Sequence, residues 1–199
     1  MKNNITRIYV TALALIALVI SISQFLVQTS IKGNESDSRI INISGRQRML
    51  SQKISKAALS ISKSQSEMDF VVSKKELQNA LEVWQKSHEG LIGGSEEMGL
   101  STENNTQKIL SLYAQMDPYY KEILTSAKSL LALNSFADFD NTAEAGIQLE
   151  SILANEGDFL KLMNNIVFEY DNIATTKIES LALIEYILYA IAVVMLLLV

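Results

Sequence analysis

The sequence predicts an all-α protein, an antiparallel four-helix bundle flanked by two transmembrane helices, and three observations predict it. Apolar runs stand at both ends of the 199-residue chain. Between them the apolar residues recur at steps of three and four, the spacing that lines one face of an α-helix. The chain holds one proline and no cysteine, so neither a disulfide frame nor a thiolate metal centre competes with helix packing as the source of stability.

The first element is membrane-like. Residues 8–27 (IYVTALALIALVISISQFLV) carry no charge over 20 positions, and such a helix is about 30 Å long, the thickness of bilayer hydrocarbon. A signal peptide is the rival reading, but the run exceeds the ~7 to 15 residues of an h-region and no small-x-small cleavage site follows it. Lys2 and Arg7 precede the run. By the positive-inside rule they put residues 1–7 in the cytoplasm, and residues 28–180 then lie in the periplasm or outside the cytoplasmic (inner) membrane.

Four amphipathic runs follow. The first takes Ile40, Ile43, Gln47, Leu50, Ile54, Ala57 and Ile61, and the second Phe70, Lys74, Leu77, Leu81, Trp84, His88 and Leu91. The third takes Ile109, Leu112, Met116, Tyr119, Ile123, Ala127 and Leu130; the fourth takes Leu149, Ile152, Glu156, Phe159, Met163, Ile166, Tyr170, Ile173, Lys177 and Leu181. Ser66 with Asp69 three residues on offers an N-cap, Gly93, Gly94 and Gly99 end the second helix, and Ser101 to Asn104 can cap the third. Asn134 to Gly146 is the longest piece without a periodic pattern. Short connections favour antiparallel neighbours, hence an up-down-up-down bundle. Pro118 falls inside the third run, where a kink is expected.

Residues 181–199 (LALIEYILYAIAVVMLLLV) form the second transmembrane helix, with Glu185 near its start and Tyr186 and Tyr189 at interfacial positions. The 14 residues after Glu185 make about 21 Å of helix, short of a full crossing, and no basic anchor follows them. A truncated chain whose cytoplasmic signalling portion is missing is expected from this, with a naturally short membrane protein as the alternative.

Charge is unevenly spread. Residues 38–66 hold six basic residues (Arg39, Arg46, Arg48, Lys53, Lys56, Lys63) and no acidic one, whereas residues 67–180 hold eight basic and nineteen acidic. Neutralisation by the acidic helices is the structural reading of the outward lysines. Arg48 shares a small, polar stripe with Ile41, Gly45, Gln52, Ser55 and Leu59. A glycine inside a helix costs about 1 kcal/mol against alanine, and close approach of another backbone is the usual reason to keep one. If the partner is the same helix of a second copy, the interface is isologous and Arg48 meets its own mate. Two facing guanidiniums need an anion, and a planar oxyanion suits their bidentate geometry. The rival is an Arg48 satisfied by an acidic neighbour in its own bundle.

The string INISGRQRMLSQKISKAAL resembles the signature of PilJ-type sensor domains, the N-terminal domain of type IV pili methyl-accepting chemotaxis transducers. It is also similar to the P-box of nitrate/nitrite-sensing histidine kinases, with Asn42, Gly45, Arg48, Met49 and Ser51 in register. The resemblance implies a periplasmic, homodimeric four-helix bundle in a receptor that feeds kinases or chemotaxis arrays. It implies further that a small anion such as nitrate or nitrite lies between the two first helices, held by Arg48 and main chain near Gly45. Asn42, Ser44 and Arg46 are the supporting candidates. Arg46-Gln47 departs from the nitrate P-box, where smaller or apolar residues stand, and is closer to the pilus-transducer branch. A protein-interaction module that contacts a pilus subunit or another periplasmic protein is the alternative, and a non-signalling membrane scaffold is a third.

Other residues read as structure. His88, the only histidine, sits beside Trp84 on the apolar seam and is expected packed in the core; the tyrosines at 113, 119, 120 and 170 read as core or rim. Glu185 reaches the membrane interface. Asn164 and Asn165 have two readings, bonding across the bundle or facing water. No metal site, cofactor or catalytic grouping is expected, since HExxH, a phosphate-cradling glycine loop and G-x-S-x-G are all missing from the sequence. The basic patch lacks interleaved aromatics, so nucleic acid is not an expected partner.

Overall fold

The computed structural model describes residues 2–197. The ends of the two terminal segments drawn from the sequence, residue 1 and residues 198–199, lie outside the described residues. The element order is α1 (Lys2–Ser62), α2 (Glu67–Gly93), α3 (Gln107–Leu131), α4 (Phe136–Asn141) and α5 (Ala143–Leu197). No strand occurs among the described residues. The chain divides into two compact units, residues 39–171 and, separately, the residues up to Ser38 with those from Asn172 onward.

Residues 39–171 form the four-helix bundle from the outer part of α1, α2, α3 and the first half of α5. Most positions of the predicted seams form its core, whereas Ile43, Lys74, Leu112, Leu149 and Glu156 are half-buried. Ile40, Gln47, Leu50, Ile54, Ala57 and Ile61 of α1 are buried, as are Phe70, Leu77, Leu81, Trp84, His88 and Leu91 of α2 and Ile152, Phe159, Met163, Ile166 and Tyr170 of α5. On α3, Tyr120 is buried where the seam placed Tyr119, which is half-buried. Trp84 is the centre: its ring centroid lies 4.6 Å from Tyr120 and 5.0 Å from Phe159, and Tyr120 stacks on His88 at 3.7 Å. Gln47, the one polar member of the α1 seam, donates from Nε2 to the Trp84 carbonyl at 3.1 Å. Contacts from residues 74, 84 and 88 of α2 reach residues 133, 120 and 113, so α2 and α3 run antiparallel. Likewise residues 108 and 122 of α3 meet residues 169 and 151 of α5.

The connections follow the expected chemistry with two corrections. Ser66 caps α2, accepting from Asp69 N at 3.2 Å and donating to the Asp69 carboxylate at 2.7 Å. Gly94 (φ 84°) and Gly99 (φ 60°) take the left-handed turns that follow α2. The cap of α3 is Thr106, whose hydroxyl accepts from Ile109 N. The stretch Ser101 to Asn104, predicted to do this, makes the turn before it. The second correction lies in the unpatterned stretch 134–146, which contains the short helix α4. Ser135 and Asp138 close a capping box there, with Asp138 accepting from the backbone N–H of Asn134 and Ser135. These bonds hold the half-buried Asp138 carboxyl below its usual range. α3 runs as one helix through Pro118.

The other unit pairs the start of α1 with the end of α5. The most apolar stretches of these two helices have mean hydropathies of 2.4 and 2.3, and neither has any share of its residues buried. Leu13, Phe25, Leu183, Tyr186 and Tyr189 all point outward, as they would toward lipid. Beyond them Asp37 is buried, and its carboxylate accepts from Lys177 Nζ at 3.0 and 3.1 Å.

Candidate functional site

α1 carries Arg48 on its flank because one face of the helix is fixed. Gln47, Leu50, Ile54 and Ala57 bury themselves in the core, and residue 48 follows 100° round from residue 47. There its guanidinium meets α5: Nη1 donates to Asn164 Oδ1 at 2.5 Å. A guanidinium has donors only, so the amide must turn its oxygen to it. The other end of the fork curls over Gly45, where Nη2 lies 3.6 Å from the position a β-carbon would take.

Between the two helices opens a groove of about 560 Å³. Gly45, Arg48, Met49 and Gln52 line it from α1, and Gly157, Leu160, Lys161 and Asn164 from α5. Two features set its chemistry. No carboxylate lines it, while two cations do. Two glycines also face it, each within a helix, and a β-carbon at Gly157 would meet nothing within 4 Å. Together they forgo about 2 kcal/mol of helix propensity, and the result is open space beside positive charge.

Arg48 remains a full charge in this setting. Among the described residues the ion pairs are Lys86–Glu97, Lys121–Asp117, Lys177–Asp37 and Lys108–Glu169. None of them engages Arg48, and none engages Arg39, Arg46, Lys53, Lys56 or Lys63. The partner of Arg48 is a neutral amide in its own subunit, which orients the guanidinium without cancelling it.

The sequence-derived candidates are sorted by this geometry. Arg48 and Gly45 come together in the groove. Ser44 is wholly buried and donates its hydroxyl to the Ile40 and Ile41 carbonyls at 2.7 and 3.0 Å, so it serves its own helix. Asn42 and Arg46 are exposed on the outer face of α1, beside Met49. Of the stripe drawn through Arg48, Gln52 lines the groove whereas Ser55 is buried. Of the two asparagines with two readings, Asn164 bonds across the bundle and Asn165 is exposed. Gly157 and Lys161 were not among the candidates; their one sequence signal was a glycine in the interior of the fourth run with a lysine one turn on. His88 is a core residue, as the seam implied; burial lowers its pKa from the usual 6.5 to about 4, with the Asp117 charge opposing. Burial also raises the Tyr113 and Tyr120 hydroxyls, and takes Tyr170 to about 12. Among the described residues no three His, Cys, Asp or Glu side chains are placed to hold a metal ion.

The first and last helices of the bundle are also the two apolar helices long enough to cross a membrane, and a groove with two cations lies between them, an arrangement that fits a membrane-associated helical domain. The particular family follows. The profile of the PilJ family, described as the type IV pili methyl-accepting chemotaxis transducer N-terminus, matches residues 30–143, more than half of the chain, and the chain belongs to that family. It is a sensory transducer domain of chemotaxis type, which is not a catalytic domain. No curated protein and no solved structure matches the chain.

Proposed function

We propose that this chain is the extracytoplasmic ligand-sensing portion of a homodimeric transmembrane receptor, and that the groove binds a small oxyanion, nitrate or nitrite first among them. The observation that carries the reading is Arg48: a guanidinium beside open space, held by a neutral amide and without a carboxylate. An acceptor-only anion is the guest that a lining with two cations and no carboxylate favours. The exposed face of α1 with Asn42, Arg46 and Met49 is where a second copy would lie, bringing a second Arg48 toward the first. An anion bridging them favours the close-packed arrangement over the open one, and this differential affinity is what a switch requires. The apolar parts of these same two helices, residues 8–27 of α1 and α5 from residue 181 onward, would cross the inner membrane and carry the change to the cytoplasmic signalling machinery.

The test is thermal unfolding of the full chain in nanodiscs with sodium nitrate or nitrite at constant ionic strength. A ligand that binds only the folded state at 100 times its Kd stabilises by about 2.7 kcal/mol. Arg48→Ala is expected to abolish the shift. If a folded dimer shows no shift with nitrate, nitrite, sulfate or phosphate, the ligand reading fails. A second reading, a protein-interaction module that senses a pilus subunit, is favoured by Arg39, Arg46, Lys53 and Lys56, which are exposed and outside every ion pair among the described residues. Binding of a purified pilus subunit that survives Arg48→Ala, with no response to any oxyanion, selects it.

A further inference from the structure

The part of α5 that faces the groove opposite Arg48, from Gly157 to Asn164, lies beyond the family match, which ends at residue 143. We infer that Asn164, with Lys161 one turn before it, is a specificity-determining part of the anion site: its amide oxygen aims the Arg48 guanidinium across the groove while leaving its charge whole. The inference rests on the oxyanion reading above and adds the last helix to it.

The argument begins with what else could stand at position 164. A residue that touches a guanidinium at 2.5 Å must accept hydrogen bonds, and aspartate is the commonest such partner. Aspartate would make a closed ion pair, and any anion entering the groove would then meet a compensated arginine and a repelling carboxylate. Asparagine supplies the same acceptor oxygen with no charge. Once that oxygen is committed to Arg48, the rest of the amide, Nδ2, has only hydrogens to offer. Lys161 lines the same groove and adds a second cation from the same helix. Guanidinium, ammonium and amide N–H are all donors, and their common complement is an oxyanion.

The arrangement also ties the guest to both helices. Arg48 belongs to α1, Asn164 and Lys161 to α5, and their union across 116 positions of sequence is a single hydrogen bond. An anion that draws the guanidinium changes the load on that bond, so α5 registers occupancy directly and not only through the core.

The experiment compares wild type, Asn164→Asp, Asn164→Ala and Lys161→Gln as full chains in nanodiscs. Titration with sodium nitrate, nitrite, sulfate and phosphate is followed by thermal shift and by isothermal calorimetry. Asn164→Asp is expected to raise the melting temperature without anion and to weaken anion affinity at least 100-fold. Asn164→Ala is expected to weaken it about tenfold with a small change in melting temperature, and Lys161→Gln to weaken it several-fold. Opposite movement of stability and affinity in Asn164→Asp is a result that a merely structural asparagine does not give. If wild type answers an anion and Asn164→Asp answers it equally well, the inference is overturned and the oxyanion reading stands. If wild type answers none of the four, both fall.

Discussion

Gly45→Ala separates a groove kept open for a guest from one that is open by accident. Within one subunit the added methyl meets a single atom, Arg48 Nη2, at 3.6 Å, an ordinary van der Waals distance. Nothing in the bundle opposes the substitution, and the helix gains the difference in propensity between alanine and glycine, about 1 kcal/mol. For a bundle of this size that is about 3 to 5 °C in Tm. Gly157→Ala, with no neighbour within 4 Å, is expected to gain about as much, and the two together about twice that, since they lie on different helices. The cost appears only with the guest. The methyl then stands beside the fork of Arg48 that points into the groove, and where a second copy would approach. Melting of the full chain followed by circular dichroism, with and without nitrate, reads both effects. The expected pattern is a higher Tm without anion and a shift with anion cut by half or more. A variant that gains stability and retains its whole anion response and its dimer would refute the argument that these glycines hold space for function.

Two further outcomes follow from the same structure. His88 has its pKa lowered to about 4 in the fold from 6.5, so the unfolded chain binds its proton first. Stability contributed by neutral His88 is whole above pH 6.5 and is lost as the pH falls from 6.5 toward 4, by about 3 kcal/mol at most; His88→Gln should flatten that part of a Tm-against-pH curve, and an unchanged slope would contradict the burial of the ring. Ser66→Ala removes the hydroxyl that caps α2 and is expected to cost about 1 kcal/mol, measured by chemical unfolding, whereas Ser64→Ala, whose hydroxyl donates to the Ser60 carbonyl, should cost less.

Much of this architecture was legible in the sequence because it depends on one-dimensional regularities. The seam through Leu50, Ile54, Ala57 and Ile61 needs only the helical repeat, and Ser66 with Asp69 needs only their spacing. Gln47 was placed on the seam despite its polarity, and its amide found the Trp84 carbonyl. The site was half legible. Gly45 and Arg48 were drawn by the cost of a helix glycine and the lack of nearby acid on the same helix. Asn164 could not be drawn, because Asn164 and Asn165 stand on opposite flanks of the seam formed by Phe159, Met163 and Ile166. Which flank faces α1 depends on the order in which the helices are set around the core, which periodicity does not encode. Thr106 and α4 were missed for another reason: short turns choose among several nearby Ser, Thr and Asn groups, and tertiary packing decides which is used.

The placement of Trp84 equips the molecule with its own optical gauge. It is the sole indole in the chain, fully enclosed where α2, α3 and α5 converge, with the imidazole of His88 at 6.4 Å. Both apolar terminal segments lack tryptophan, so selective excitation lights one point in the interior and leaves the lipid-facing portion dark. A blue-shifted emission that reddens on unfolding and dims when the neighbouring imidazole takes up a proton would let loosening of the core be followed in intact membranes, with no dye attached.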